Sequence, residues 1–305
     1  MVSKYIYYQQ HIMWYESDII QECFDALAIA IDNSPLPVLV ELCLNYQTYI
    51  EQPVNLEKYL DSFDIVQNHR IHETAMVVII NTQMNDSPFY NIGDWRRDKY
   101  DSKAAYTVWG ETDCLIPEDY FYLLSVMPED LPKCHLVTLS SRVMWDSTWL
   151  SVTHAKLRNH PFLDNQKPSH PELYPFRYYD YIALNELTEF NNNSPVLVEA
   201  QSSIKIDGSL LAISGNIDFQ FIPDGLHFIN EDTVAAMAFQ LHGITQYCIS
   251  TRLKGHNYYH PNKRTNTESK RNNETYLKYA EESRLSVEPF INQIINDRNR
   301  REEGI

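Results

Sequence analysis

The sequence predicts an α/β fold: a mostly parallel central sheet with helices on its faces. Three observations carry this. Short apolar, β-branched runs recur through the first half of the chain, at "KYIYY", "VLVELCL", "AMVVII" and "YTVW". Helical or irregular stretches separate them, the pattern expected of parallel strands joined by crossovers. The 305 residues suffice for one large α/β domain or two small ones.

The elements follow in order. Residues 4–8 read as a first strand. Residues 16–31, "ESDIIQECFDALAIAI", place Ile19, Ile20, Cys23, Phe24, Leu27 and Ile31 at three-four spacing, which predicts an amphipathic helix. Ser17 is its expected N-cap, with Asp18 in the first turn. "NSPLP" ends that helix and 38–44 is a buried strand. A short helix at 54–61, a strand at 75–80 and a strand at 106–109 come next. "CHLVTLSSRVMW" (134–145) is strand-like. Residues 159–195, rich in Pro, His, Tyr and Asn, read as a loop insertion. "SPVLVEA" and "SLLAISGNIDFQFI" add strands, 230–243 a helix that starts on acids, and 275–297 a terminal amphipathic helix. The expected organisation is one main α/β domain over 1–264, then a polar linker and helix over 265–305.

Net charge is −16 and unevenly spread. Residues 1–250 hold 14 basic and 33 acidic side chains, whereas 251–305 hold 11 and 8. An acidic body repels phosphate backbones, which disfavours a general nucleic-acid binder while leaving room for a small anion near local cations. The five cysteines form no CxxC pair and read as buried thiols. No apolar run is long enough for a membrane span, and "MVSKYIYYQQ" lacks a signal-peptide layout. A cytoplasmic location is expected.

The chemistry concentrates at "YTVWGETDCLIPEDYF" (106–121). A buried-looking strand runs into Glu111-Thr112-Asp113. Strand side chains alternate faces, so Glu111 and Asp113 are expected to point the same way. Two carboxylates converging at a strand end suit a hard cation, Mn²⁺ or Mg²⁺, with substrate phosphates completing its shell. In open α/β sheets, ligands sit at such carboxyl ends. No P-loop or GxGxxG occurs among the eight glycines.

These residues resemble the GT-A fold glycosyltransferases, which use nucleotide-sugar donors and carry a DxD-type motif, here of family-2-like layout. "GETDCLIPEDYFYLL" is similar to the motif strand and its following helix. "YNIGDWRRDKYDSKAAYTVWGETD" resembles the helix leading into that strand. "GSLLAISGNIDFQFIPDGLHFINEDTVAAMAFQL" resembles the acceptor-side segment, ending in Glu231-Asp232 at a helix start. "STRLKGHNYYHPNKR" resembles the segment that supplies a metal-ligating histidine and cations for the diphosphate. Glu111 stands where the motif has Asp.

The resemblance implies a Rossmann-like sheet plus a small acceptor-side sheet. It implies Asp113 as a direct metal ligand, with Glu111 assisting or contacting the ribose, and His256 as third ligand with His260 as rival. Arg97, Lys254, Lys263 and Arg264 would share the phosphate charge. Asp232, beside Glu231, would be the base of an inverting displacement. The activity implied is hexosyl or pentosyl transfer from a nucleotide-diphosphate sugar, UDP being the first nucleotide expected, to a hydroxyl acceptor. Trp95, Trp109, Trp145 and Trp149 are candidate walls for a sugar ring. Two other readings remain: a sugar- or protein-binding module on the same fold without activity, and transfer to a modified nucleic-acid base.

Overall fold

The computed structural model describes residues 4–13, 16–45, 56–82, 92–112, 114–138, 141–143, 197–199, 204–206, 210–215, 217–226, 231–249 and 274–303. Their chain order begins β1 (Ile6–Met13), α1 (Ser17–Asp32), β2 (Val38–Asn45), α2 (Leu56–Asn68), α3 (Ile71–Thr74) and β3 (Met76–Thr82). It continues α4 (Ile92–Asp98), β4 (Tyr106–Glu111), α5 (Tyr120–Ser125), β5 (Leu136–Thr138) and β6 (Ser141–Val143). The remainder is β7 (Leu197–Glu199), β8 (Ile204–Ile206), β9 (Leu210–Ser214), α6 (Glu231–Leu241), β10 (Gln246–Ile249) and α7 (Glu274–Glu303).

Eight strands form one mixed sheet in the order β3-β2-β1-β4-β9-β5-β10-β7. The β3-β2-β1-β4 half is parallel throughout. β9 runs antiparallel to both β4 and β5, β10 pairs parallel with β5, and β7 closes the far edge antiparallel. β6 and β8 form a separate antiparallel pair. The fold is thus α/β with a mostly parallel mixed sheet flanked by helices, as the strand–helix alternation predicts.

Alternation along the strands divides two cores. Ile6, Tyr8 and Ile12 of β1, Val40 and Leu42 of β2, and Val108 of β4 face one side, where Phe24 and Leu27 of α1 and Phe121 and Leu124 of α5 pack on them. Trp109 of β4 and Leu211 and Ile213 of β9 face the other, under Val234, Met237 and Phe239 of α6 and Val287, Ile291 and Ile294 of α7. Both cores are predominantly apolar and buried, which is the main driving force for this layering.

The structure adjusts several boundaries. α1 buries all six residues of the predicted stripe, but its cap is Glu16, which makes no side-chain cap bond, and Ser17 is already inside the helix. α2 continues to Asn68, beyond the expected end at residue 61, because Ser62 and Val66 are buried on its inner face. The 134–145 run forms two short strands. α7 extends to Glu303 with Pro289 inside it. Cys23, Cys43 and Cys114 are buried and Cys134 is half-buried, matching the expected thiols. The 159–195 segment, Trp145, Trp149 and the Cys248 side chain lie outside the described residues. No helix among the described residues is long and apolar enough to cross a membrane.

Candidate functional site at the carboxyl edge of β1 and β4

Strand order reverses at β1: β2 and β3 lie on one side of it, β4 on the other. Such a switch point opens a crevice at the carboxyl ends of the two diverging strands. His11 and Glu111 are register partners at that edge. The ladder stops there. The Cys114 N–H donates to the Glu111 carbonyl at 3.1 Å, and the Thr112 hydroxyl donates to the His11 carbonyl at 2.7 Å. β4 ends at Glu111, and Thr112 is in a turn. Asp113 itself lies outside the described residues.

The cation at this edge is Arg96. Its side chain is 2% exposed, and Nη1 donates to Glu231 Oε1 at 2.6 Å. Nη2 reaches the Gly110 carbonyl at 3.4 Å, and the guanidinium lies 5.0 Å from the Trp109 ring centre. Burial against an indole face is a site suited to arginine, because the planar guanidinium is weakly hydrated and favours π contact. Its Nε–H has no acceptor among the described residues.

Glu231 and Asp232 occupy the first turn of α6, where the helix dipole favours negative charge. Burial pushes the Glu231 carboxyl above the usual carboxylate range; Arg96 pulls it back, while Asp232 and Glu111 push it further up. Glu231 therefore feels both neighbouring carboxylates and the buried Arg96 guanidinium. Burial, with Arg96 adding to it, lowers the His11 imidazole to about 3, so this ring is neutral.

Not every expected residue belongs to this arrangement. Arg97, next in α4, turns away: it donates to Asp98 at 2.9 Å and to Asp224 at 2.6 Å. Trp109 and Trp95 are buried, the first beneath Arg96 and the second beside Glu41. Lys254, His256, His260, Lys263 and Arg264 lie outside the described residues. Among the described residues no three His, Cys, Asp or Glu side chains gather as a metal site. Glu111 is the described member of the expected ligand set. Burial is the main cause of the raised Glu231, and the charges of Asp232 and Glu111 add to it.

Sequence reasoning missed Arg96 and His11. The signal for His11 was present: Tyr7, Gln9 and His11 alternate with Ile6, Tyr8 and Ile12, a polar face along a buried strand. Arg96 and Arg97 differ only in helical phase, which the sequence of a seven-residue helix does not set. Compared with known proteins, the chain matches no family model and no curated protein.

Proposed function

We propose that this chain is a metal-dependent glycosyltransferase that moves a sugar from a nucleotide-diphosphate donor to a hydroxyl acceptor with inversion. One observation carries the reading. Asp232 and Glu111 both act on Glu231 at the switch point of a parallel sheet, beside the buried Arg96. A site of that charge and position suits a divalent cation and the phosphates it bridges. The GT-A arrangement belongs to the same proposal. It is supported by the parallel β3-β2-β1-β4 half, by the reversal at β9 beside the motif strand, and by the small β6-β8 sheet.

In this reading Glu111, Asp113 and His256 hold Mn²⁺ or Mg²⁺. When bound, the ion supplies Lewis-acid stabilisation of the diphosphate charge. Lys254, Lys263 and Arg264 are the cations assigned to that charge, and the buried Arg96, with an unmatched Nε–H, takes the place expected of Arg97 at the strand end. Glu231 is engaged by Arg96 and fixes the start of α6. Asp232, half-buried in the same turn, accepts the acceptor hydroxyl's proton as its oxygen attacks the anomeric carbon. The bond from that carbon to the diphosphate oxygen breaks, and its electron pair leaves with the diphosphate.

The test is thermal unfolding with UDP, GDP, CDP or TDP, each with Mn²⁺, Mg²⁺ or EDTA, on wild type and Asp113→Ala. A ligand at 100 times its Kd adds about 2.7 kcal/mol. A cation-dependent rise for one nucleotide, absent in Asp113→Ala, is the expected result. No rise with any nucleotide, in a folded sample, sinks the reading.

A further inference from the structure

A buried carboxylate lies one strand away from the proposed chemistry. Glu41, in the middle of β2, is 7% exposed. Each of its oxygens takes one neutral donor. The Tyr7 hydroxyl donates to Oε2 at 2.7 Å, and the Trp95 indole N–H donates to Oε1 at 3.0 Å. Among the described residues no lysine, arginine or histidine pairs with it. Val40 and Leu42, its neighbours, face the apolar core on the opposite side of the sheet. An apolar residue at position 41 would avoid the desolvation cost that a buried carboxylate carries. A carboxylate there has to be explained by what it holds.

What it holds is α4. That helix spans only Ile92–Asp98, too short to be stable or to set its own position by backbone bonding. Successive helical residues point about 100° apart. Trp95 reaches across to β2 and bonds Glu41, while Arg96 reaches to β4, lying over Trp109 and meeting the Gly110 carbonyl. The two side chains clamp the helix across β1, at the strand pair where sheet order reverses. Arg96 then meets Glu231 at the start of α6. The chain of contacts runs from Glu41 through Trp95 to Arg96 and Glu231.

We infer that Glu41 is a positioning residue: through the Trp95 indole it sets the place of α4, and so aims the Arg96 guanidinium at the candidate site. Its importance for donor binding rests on the proposed function; its hold on Arg96 does not. The distinguishing substitution is Glu41→Gln. A glutamine oxygen accepts the indole N–H, and its NH₂ donates to the Tyr7 oxygen, which accepts as well as donates. Glu41→Leu is of similar size and does neither.

The experiment measures two things in the full chain. The first is the ¹H–¹⁵N signals of the Trp95 indole and the Arg96 Nε–H, assigned with Trp95→Phe and Arg96→Lys. The second is calorimetric affinity for UDP with Mn²⁺. In Glu41→Leu the Arg96 signal should broaden or shift and the affinity should fall about 10- to 100-fold, the usual cost of losing the residue behind a ligand-contacting one. Glu41→Gln should keep the Arg96 signal and stay within about twofold in affinity, since a hydrogen-bond acceptor is retained. An unchanged Arg96 signal in Glu41→Leu overturns the inference. So does a loss in Glu41→Gln as large as in Glu41→Leu, which would make the charge, not the bond, the active feature. Trp95→Phe keeps an aromatic ring and removes the donor with the five-membered ring that carries it, so it tests the same link if Glu41→Leu fails to fold. If wild type binds none of UDP, GDP, CDP or TDP, the functional reading fails, and the Arg96 signal alone then decides the positioning role.

Discussion

Arg96 and Arg97 are adjacent and carry the same charge, yet the fold gives them unlike work. The Arg96 side chain is 2% exposed and its Glu231 partner 13%, whereas Arg97 shares an exposed surface with an Asp224 that is 87% exposed. Removing one member of a buried pair strands the other's charge, at a cost of about 3–5 kcal/mol; an exposed pair is worth at most about 1 kcal/mol. Arg96→Ala should therefore lower stability by about 3–5 kcal/mol in urea unfolding, and Arg97→Ala by about 1 kcal/mol or less. Adding Glu231→Ala to Arg96→Ala should return part of the loss, because the orphaned carboxylate goes with it. Equal effects of the two arginine variants would refute the assignment of Arg96 as the buried cation. The doublet "WRR" showed two cations before the motif strand. Which one turns inward depends on the phase of α4 against β4, a tertiary quantity.

At the scale of elements, β4 shows how side chains on one strand constrain its neighbour. Gly110 faces the first core, where the fully buried Tyr8 phenol lies across the strand and bonds Gln10. A Cβ at position 110 would overlap the Tyr8 ring and hydroxyl. Gly110→Ala should thus cost about 1–3 kcal/mol by overpacking, read as a lower urea midpoint at unchanged slope. Tyr8→Phe should relieve part of that strain, since the hydroxyl is one of the overlapping groups. A neutral Gly110→Ala would mean that the phenol has room to move. The glycine was visible in "YTVWGETD" as the point where the strand gives way to acids. Its reason was not, because it belongs to a residue some hundred positions earlier on a paired strand. The helices were more legible. The stripe of α1 fits one face, and that face is buried. The acids opening α6 fall in its first turn, where local chemistry alone favours them.

Over the whole molecule, burial of histidines makes stability depend on pH in a defined direction. Burial lowers His11 to about 3, and it also lowers His69 and His135. The fold thus disfavours the protonated form of each ring, while the unfolded chain takes up protons below about pH 6.5. Their contribution is thus complete above about pH 6.5 and is lost as the pH falls toward the folded values. Glu231, raised by burial, works the other way: its contribution is lost as pH rises through its folded value. Wild type should lose stability from pH 6.5 to 4.5, and His11→Asn should lose less, by up to about 1.4 kcal/mol per pH unit. Superimposable slopes would show that His11 titrates normally in the folded protein.

The sequence by itself determined the class of the fold, the location and facing of α1, the strand at 106–109 with acids at its end, and the acidic start of α6. These follow from periodicity and end chemistry, which act over a few residues and leave a local trace. Tertiary structure alone decided that β4 lies beside β1, that β9 enters reversed between β4 and β5, and that Arg96 reaches Glu231 across 135 residues of chain. It also decided that Trp95, expected as a wall for a sugar ring, instead meets Glu41 beneath α4. The physical reason is that pairing, burial and charge contact are set by neighbours in space. A strand reads the same from its own residues whichever strand it joins, and an arginine reads the same whether water or an indole lies against it.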